Sequence, residues 1–336
     1  GMAMLSSASF DIDKIKLGDA YYHLRHQVFY GLSIGIAGFI LGSKIYYRRL
    51  ERFAFPIILA SPFLLSLVLS PLGITVNGAR RWIQILDFSF QPAEILKLAF
   101  VVYIAALLSK KTGNNFWPFV IFSAIIGGLL FLEPATGNAV IILGSGFIMY
   151  LMSGARIRYI LLAVLMGVAA FGAVVYATPY RMERVQSYLA PETSIYGSNY
   201  QLNQALNAIS SGGWLGVGWG RSTTKYKYLP EPIGDSMFAV IAEEFGFLGT
   251  TFLLAIFALL IIRYLIIAQK SGDKFAKLLL IGFSSLLFIQ VFIHIGSNSG
   301  LLPLTGVPLP FISFGGTSLA IFLTMAGIAR NVAKYA

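Results

Sequence analysis

Apolar positions in this chain fall in long unbroken runs, and polar positions collect at the junctions between them. Nine runs approach the roughly 20 residues a helix needs to cross a hydrocarbon core. They cover residues 27–47, 52–72, 91–109, 116–133, 137–154, 158–177, 237–262, 276–297 and 311–332. None shows the in/out alternation of a barrel strand, so each is predicted to be a helix. The opening GMAML looks like the last turns of a further span whose beginning is absent. The expectation is an all-α polytopic membrane protein, a ten-helix bundle with its first helix truncated in this chain.

Most junctions are short, whereas residues 178–236 form one long connection between the seventh and eighth helices. A connection of that length is more often functional than structureless. Inside it, residues 198–210 read as an amphipathic helix at the membrane surface, closed by Gly212 and Gly213. Trp214, Trp219, Tyr226 and Tyr228 suit an interfacial aromatic belt. The whole chain, 1–336, is read as a single integral membrane domain carrying this extracytoplasmic loop.

Composition supports the pattern, with 57% hydrophobic and 12% charged residues. The formal net charge of +11 does not indicate nucleic acid, because the cations occupy alternate junctions: Arg48, Arg49 and Arg52, Lys110 and Lys111, Arg156 and Arg158, Arg263 to Lys277, Arg330 and Lys334. The positive-inside rule makes those junctions cytoplasmic. The opposite set, including residues 11–26, VNGARRWIQILDFSF, EPATG and GSNSGLLPLTGVPLP, then faces outward. With no cysteine there is neither a disulfide framework nor a thiolate metal site.

Candidate chemistry gathers in YLPEPIGDSMFAVIAEEFGF, which holds Glu231, Asp235, Glu243 and Glu244. Asp235 stands where an outer-face helix begins. It suits a cap on backbone N–H groups and, equally, a general base whose pKa is tuned by partial desolvation. Glu243 and Glu244 lie about two turns into the same helix, where ionisable groups need a cavity or a partner. One is expected to cap backbone or pair with a cation, and the other to line a cavity. Glu94 and Lys97 have the i,i+3 spacing of an internal ion pair, and Lys97 is also a candidate for neutralising phosphate. Arg80 and Arg81 carry forks that match phosphate oxygens on the outer face, and Arg221, Lys225 and Lys227 add positive charge before Asp235. GLLPLTGVPLPFISFGGTS, which includes Ser313, is rich in proline and glycine and is expected to line a cavity as non-helical backbone. His294 is read as a helix-to-helix hydrogen bond, with no second histidine to build a metal site. Walker, dinucleotide and GxSxG motifs are absent.

NGARRWI, QPAEILKLAFVVYIA, YLPEPIGDSMFAVIAEEFGFLG and GLLPLTGVPLPFISFGGTS, in that order over nearly the whole chain, resemble the SEDS family of FtsW/RodA-type peptidoglycan polymerases. EPIGDS looks more like the FtsW branch. The resemblance implies a ten-helix glycosyltransferase that polymerises lipid II into glycan at the outer face of the bacterial cytoplasmic membrane during division or elongation. It puts the general base at Asp235 and the substrate-binding groups among Arg80, Arg81, Lys97, Lys225, Glu94, Glu243 and Ser313. The implied partners are polyprenyl-diphosphate-linked glycan, a class B penicillin-binding protein and other divisome or elongasome membrane proteins. The resemblance assigns no definite cofactor; a divalent cation, magnesium or manganese, is left open. The chain departs from the family pattern in three motifs: EPATGNA, with Ala135 and Asn138 where an Asp is usual, the helix with His294 in place of a common Asn, and the FGG segment with Phe314 in place of a common Tyr. A flippase for the same lipid and a non-catalytic transpeptidase scaffold are the competing functions, and fold alone does not separate them.

Overall fold

A chain in hydrocarbon must satisfy its backbone internally, and the long apolar runs do so as helices. The computed structural model describes residues 1–336 apart from 77–78, 86–87, 111–114, 134, 179–180, 183–187, 189–197 and 228. Helix α1 spans Met2–Leu17 and stops at Gly18, whose φ of 69° is the left-handed C-terminal conformation glycine adopts without strain. Helix α2, Tyr22–Lys44, contains a π-helical turn over Gln27–Leu32. Helix α3 is Arg48–Leu69.

A three-stranded antiparallel sheet follows: β1 (Gly73–Val76), β2 (Ala79–Ile85) and β3 (Phe88–Phe90). Ile74 faces Trp82 while Thr75 faces Arg80, so Arg81 is the extra residue of a β-bulge. Helix α4 (Pro92–Ser109) begins with proline, which costs no hydrogen bond at that position. Next come α5 (Phe116–Leu132), α6 (Thr136–Met152) and α7 (Ile157–Tyr176). The amphipathic segment forms α8, Ser198–Gly212, and a single turn, α9, covers Thr224–Lys227. Helix α10 runs from Met237 to Lys270, α11 from Lys274 to Asn298, and α12 from Gly316 to Tyr335. Seven of the described helices are long and apolar enough to cross a membrane, and α5 and α6 are shorter apolar helices. The protein is thus an all-α polytopic membrane protein, apart from its small sheet.

Several expected boundaries move. The last helix starts at Gly316, not 311, because Phe311 has a φ of 64° and the chain turns there. Helix α10 continues past 262 to Lys270 and is broken at Gly246 (φ 63°, ψ −162°). Helix α1 occupies part of the segment read as an outer loop, and the sheet occupies a junction for which no strands were expected.

The chain divides into two compact units. One comprises Tyr30–Val168, Leu260–Ile289 and Gly316–Ala336. At its centre α4 is buried along most of its length, with Phe100 against Gly146 of α6 and Val101 against Gly282 of α11. Helices α2 and α12 meet along glycines: a Cβ on Gly42 would lie 3.0 Å from the Thr324 carbonyl oxygen, and one on Gly327 would lie 2.2 Å from that of Phe39. Association inside a membrane lacks a hydrophobic drive, so close backbone approach by small residues carries the packing. The other unit comprises Gly1–Phe29, Ala169–Leu259 and Gln290–Gly315, and it contains Asp235.

Candidate functional site around Asp235

Residues 230–236 form a turn just ahead of α10, and most of the turn's backbone carbonyls are hydrogen-bonded. Ser236, the residue before the helix, donates through Oγ to the Pro230 carbonyl (2.8 Å) and accepts from Gln201 (3.1 Å). The Ile233 carbonyl accepts from the Phe314 N–H at 2.8 Å, and the Gly234 carbonyl accepts from Ser313 Oγ at 2.8 Å. Ser313 Oγ also accepts from the Leu309 N–H, so it ties the proline- and glycine-rich segment to the turn. Asn298, at the end of α11, donates through Nδ2 to the Asp235 carbonyl at 2.9 Å. A Cβ on Gly306 would stand 3.1 Å from Asp235 Oδ2, so the carboxylate lies over the bare Cα of that glycine. Backbone on both sides of the acid is thereby fixed.

The other acids of the motif serve the helix. Glu243 accepts from Ser222 Oγ (2.5 Å), Thr223 N–H (3.0 Å), Thr224 N–H (3.4 Å) and Thr223 Oγ1 (3.4 Å), and so caps the turn α9. Glu244 Oε1 accepts from Lys225 Nζ at 2.8 Å and Ser7 Oγ at 2.6 Å, all three residues being buried. The break at Gly246 frees backbone groups, and residues 213–218 take them up. Val217 and Gly218 N–H donate to the Glu243 and Glu244 carbonyls, while Phe247 and Leu248 N–H donate to those of Gly213 and Trp214. Irregular backbone at membrane depth persists only where protein satisfies it in this way. Both glutamates are therefore engaged with protein groups; the expectation that one of them lines a cavity gives way to capping and pairing.

The remaining predicted residues lie in the other unit. Lys97 Nζ donates to Glu94 Oε1 at 2.6 Å with both side chains buried, the ion pair their spacing predicted. Arg80 donates through Nε to the Gly73 carbonyl (3.1 Å) and through Nη2 to that of Ser70, which fastens the sheet to the end of α3. Arg81 occupies the bulge. Its charge reaches Glu133, which is 2% exposed and whose two oxygens have no hydrogen-bond partner among the described residues. Burial pushes the Glu133 carboxyl up to about 8, with the Arg81 charge pulling the other way.

Of the three departures, His294 is fully buried and contacts the Val307 carbonyl through Nδ1 at 2.7 Å, so its partner is the loop after α11 and not the second helix that was expected. Phe314 sits with its ring 4.8 Å from that of His23 and 5.7 Å from that of His26. Asp13, wholly buried, accepts from the His23 N–H at 3.0 Å and contacts its Nδ1. Sequence reading did not single out Asp13, His23 or Asn298. Asn298 carried a signal, lying one turn beyond His294 on the same helix face. Asp13 and His23 carried none. Among the described residues, no group of three or more His, Cys, Asp or Glu is arranged to hold a metal ion.

The Stage V sporulation protein E of Bacillus subtilis is 36% identical and aligns over 100% of this chain and 93% of its own length. A probable peptidoglycan glycosyltransferase FtsW of Alcanivorax borkumensis is 38% identical over 98% of this chain and 88% of that protein. Among solved structures, a chain from work on coordination of polymerization and crosslinking by a peptidoglycan synthase complex superposes with a TM-score of 0.81 at 28% identity, covering 100% of this chain and 97% of that one. The rod shape determining protein RodA of Thermus thermophilus gives 0.69 at 27% identity, covering 99% and 93%. The profile of the family described as "Cell cycle protein" matches residues 1–336, and the chain belongs to this FtsW/RodA/SpoVE family.

Proposed function

We infer that this protein is a peptidoglycan glycosyltransferase that polymerises lipid II at the outer face of the bacterial cytoplasmic membrane, with Asp235 as general base. Relatives at 33–38% identity that bear the name peptidoglycan glycosyltransferase support the activity. The observation that carries the residue assignment is the turn at Asp235: Ser313, the Phe314 N–H and Asn298 brace its backbone, and Gly306 leaves room beside the carboxylate. A base held in place loses no orientation at the moment of reaction.

In this reading the acceptor sugar's 4-hydroxyl gives its proton to Asp235 as its oxygen bonds to the donor's anomeric carbon. The bond from that carbon to the diphosphate breaks, and polyprenyl diphosphate leaves with the electron pair. Asp235 then returns the proton to water. A diphosphate leaves without protonation when cations balance its charge, so one carboxylate suffices, in contrast to the pair of a glycosidase. From the sequence, Arg80 and Arg81 are the first candidates for that balance; Lys97, held by Glu94, is engaged within the protein. Lys225 and Glu243 become positioning groups, because both are engaged within the protein. Ser313 likewise acts through the turn, and Glu94 acts through Lys97. The partner in this proposal is a class B penicillin-binding protein, in line with the solved relative that belongs to a synthase complex. General base catalysis is worth typically 10²–10⁴-fold. Asp235→Asn, folded and assembled with that partner, is expected to lose activity by that factor in a lipid II polymerisation assay; wild-type-like glycan from the variant would refute the assignment.

A further inference from the structure

The loop ahead of α12 is held from two sides. On one side the Phe314 N–H donates to the Ile233 carbonyl and Ser313 Oγ donates to that of Gly234, each at 2.8 Å, so the loop braces the turn that carries Asp235. On the other side stands the start of α2. The rings of His23 and His26 lie 4.8 Å and 5.7 Å from the Phe314 ring, and the buried Gln27 accepts from the Gly315 N–H through Oε1 at 3.1 Å. The π-helical turn of α2 begins at Gln27, and wide turns of this kind recur at functional sites. All of these residues belong to the compact unit that contains Asp235.

A single buried acid fixes α2 at this point. Asp13 of α1 is 0% exposed, and both of its oxygens are met by His23, one by the backbone N–H at 3.0 Å and the other by ring Nδ1. A carboxylate only accepts, so Nδ1 carries the proton, and the ring is set in both position and tautomer. Burying a carboxylate is costly, and apolar side chains of similar size would pack α1 on α2 at least as well. What the acid adds is direction. It turns the imidazole to cross the Phe314 ring at 85°, the edge-to-face arrangement that aromatic pairs prefer. We propose that Asp13, His23 and Gln27 are positioning residues: Asp13 sets the His23 ring, that ring and Gln27 set Phe314 and Gly315, and these hold the turn that presents Asp235. The proposal rests on the reading of Asp235 as the general base. The three side chains act through the loop and need no contact with substrate.

The test compares variants of the full chain, assembled with its penicillin-binding protein, by lipid II polymerisation kinetics per folded molecule and by amide hydrogen exchange. Asp13→Ala removes the anchor and leaves no charge buried. Gln27→Met removes the acceptor of the Gly315 N–H at similar volume. Asp13→Asn keeps an acceptor for the His23 N–H and an amide to pair with the ring. Asp13→Ala and Gln27→Met are each expected to lower kcat by about 10- to 100-fold with KM unchanged, the signature of a misplaced group and not of lost substrate binding. The Phe314 and Gly315 amides should exchange faster in both variants, because they are the donors that the clamp holds. Asp13→Asn should restore most of the rate. Four results would each overturn the proposal: wild-type kcat in Asp13→Ala, a kcat loss with unchanged exchange at Phe314 and Gly315, a rise in KM at constant kcat, or a loss in Asp13→Asn as deep as in Asp13→Ala. Asp235→Asn is run in parallel. Normal polymerisation by that variant refutes the base assignment and, with it, the positioning of a base; an inactive Asp235→Asn beside a fully active Asp13→Ala refutes the clamp alone.

Discussion

Replacing Lys225 with Met should unseat the segment that shields the break in α10, and restoring charge balance should largely repair it. Lys225 Nζ reaches Glu244 Oε1 at 2.8 Å, Ser7 O and Oγ at 3.0 Å each, and the Gly220 carbonyl at 3.2 Å. Lys225 is 3% exposed and Glu244 1%, so water does not screen the loss. The methionine stem fills similar volume but leaves a carboxylate with Ser7 as its remaining donor on Oε1 and no partner on Oε2 among the described residues. Removing one member of a buried pair typically costs about 3–5 kcal/mol, because the surviving charge stays buried. Adding Glu244→Gln removes that charge, and what is left is an imperfectly bonded amide at about 1–3 kcal/mol. The double variant should thus be more stable than Lys225→Met by about 2 kcal/mol, a coupling well above the scatter of additive pairs. The assay is denaturant unfolding of the protein in detergent micelles, paired with polymerisation rate per folded molecule. A single variant that loses less than about 1 kcal/mol, or a double variant no more stable than the single, would refute the buried-pair reasoning. A double variant that is stable yet does not polymerise would return Lys225 to the substrate.

Gly246→Ala is expected to destabilise the protein by about 3 kcal/mol or more, since its conformation is one that glycine alone adopts readily and a Cβ would stand 2.4 Å from the Gly216 nitrogen; thermal unfolding of the variant measures it. Glu133 tests a pH dependence. With its carboxyl raised from 4.5 to about 8 in the fold, the folded chain keeps a proton that the unfolded chain has lost. Its contribution to stability therefore falls as pH rises from about 4.5 through about 8. Glu133→Gln should flatten that decline in unfolding midpoint against pH, and an unchanged slope would contradict it.

The spans were legible because hydrocarbon imposes a length and an apolar composition that few other environments demand. Residues 92–109 and 157–176 fell within a residue of expectation for that reason. Helix ends obey local backbone geometry, which hydropathy does not report. The turn at Phe311 and the break at Gly246 each depend on one residue's φ, and the break is sustained by hydrogen bonds from a segment some thirty residues earlier in the chain. The sheet was missed although Asn77-Gly78, between Val76 and Ala79, is a hairpin signal in sequence; its strands are short and one carries a bulge. Glu94 and Lys97 were paired correctly because their spacing is local. The acids around Asp235 were recognised as a group, but their division of labour depends on partners far away in sequence: Ser7 for Glu244, Ser222 for Glu243, Asn298 for the Asp235 backbone. Periodicity conveys nothing about such contacts.

Asp235 is the residue on which the account depends most. The decisive measurement is the rate of glycan formation from purified lipid II by the protein with its penicillin-binding protein, comparing wild type with Asp235→Asn after both are shown to fold. Polymer from wild type and a loss of about 10²–10⁴-fold in the variant is the predicted result. Equal polymer from both would contradict the general-base role, and no polymer from either, with transbilayer movement of lipid II in vesicles instead, would make the protein a transporter.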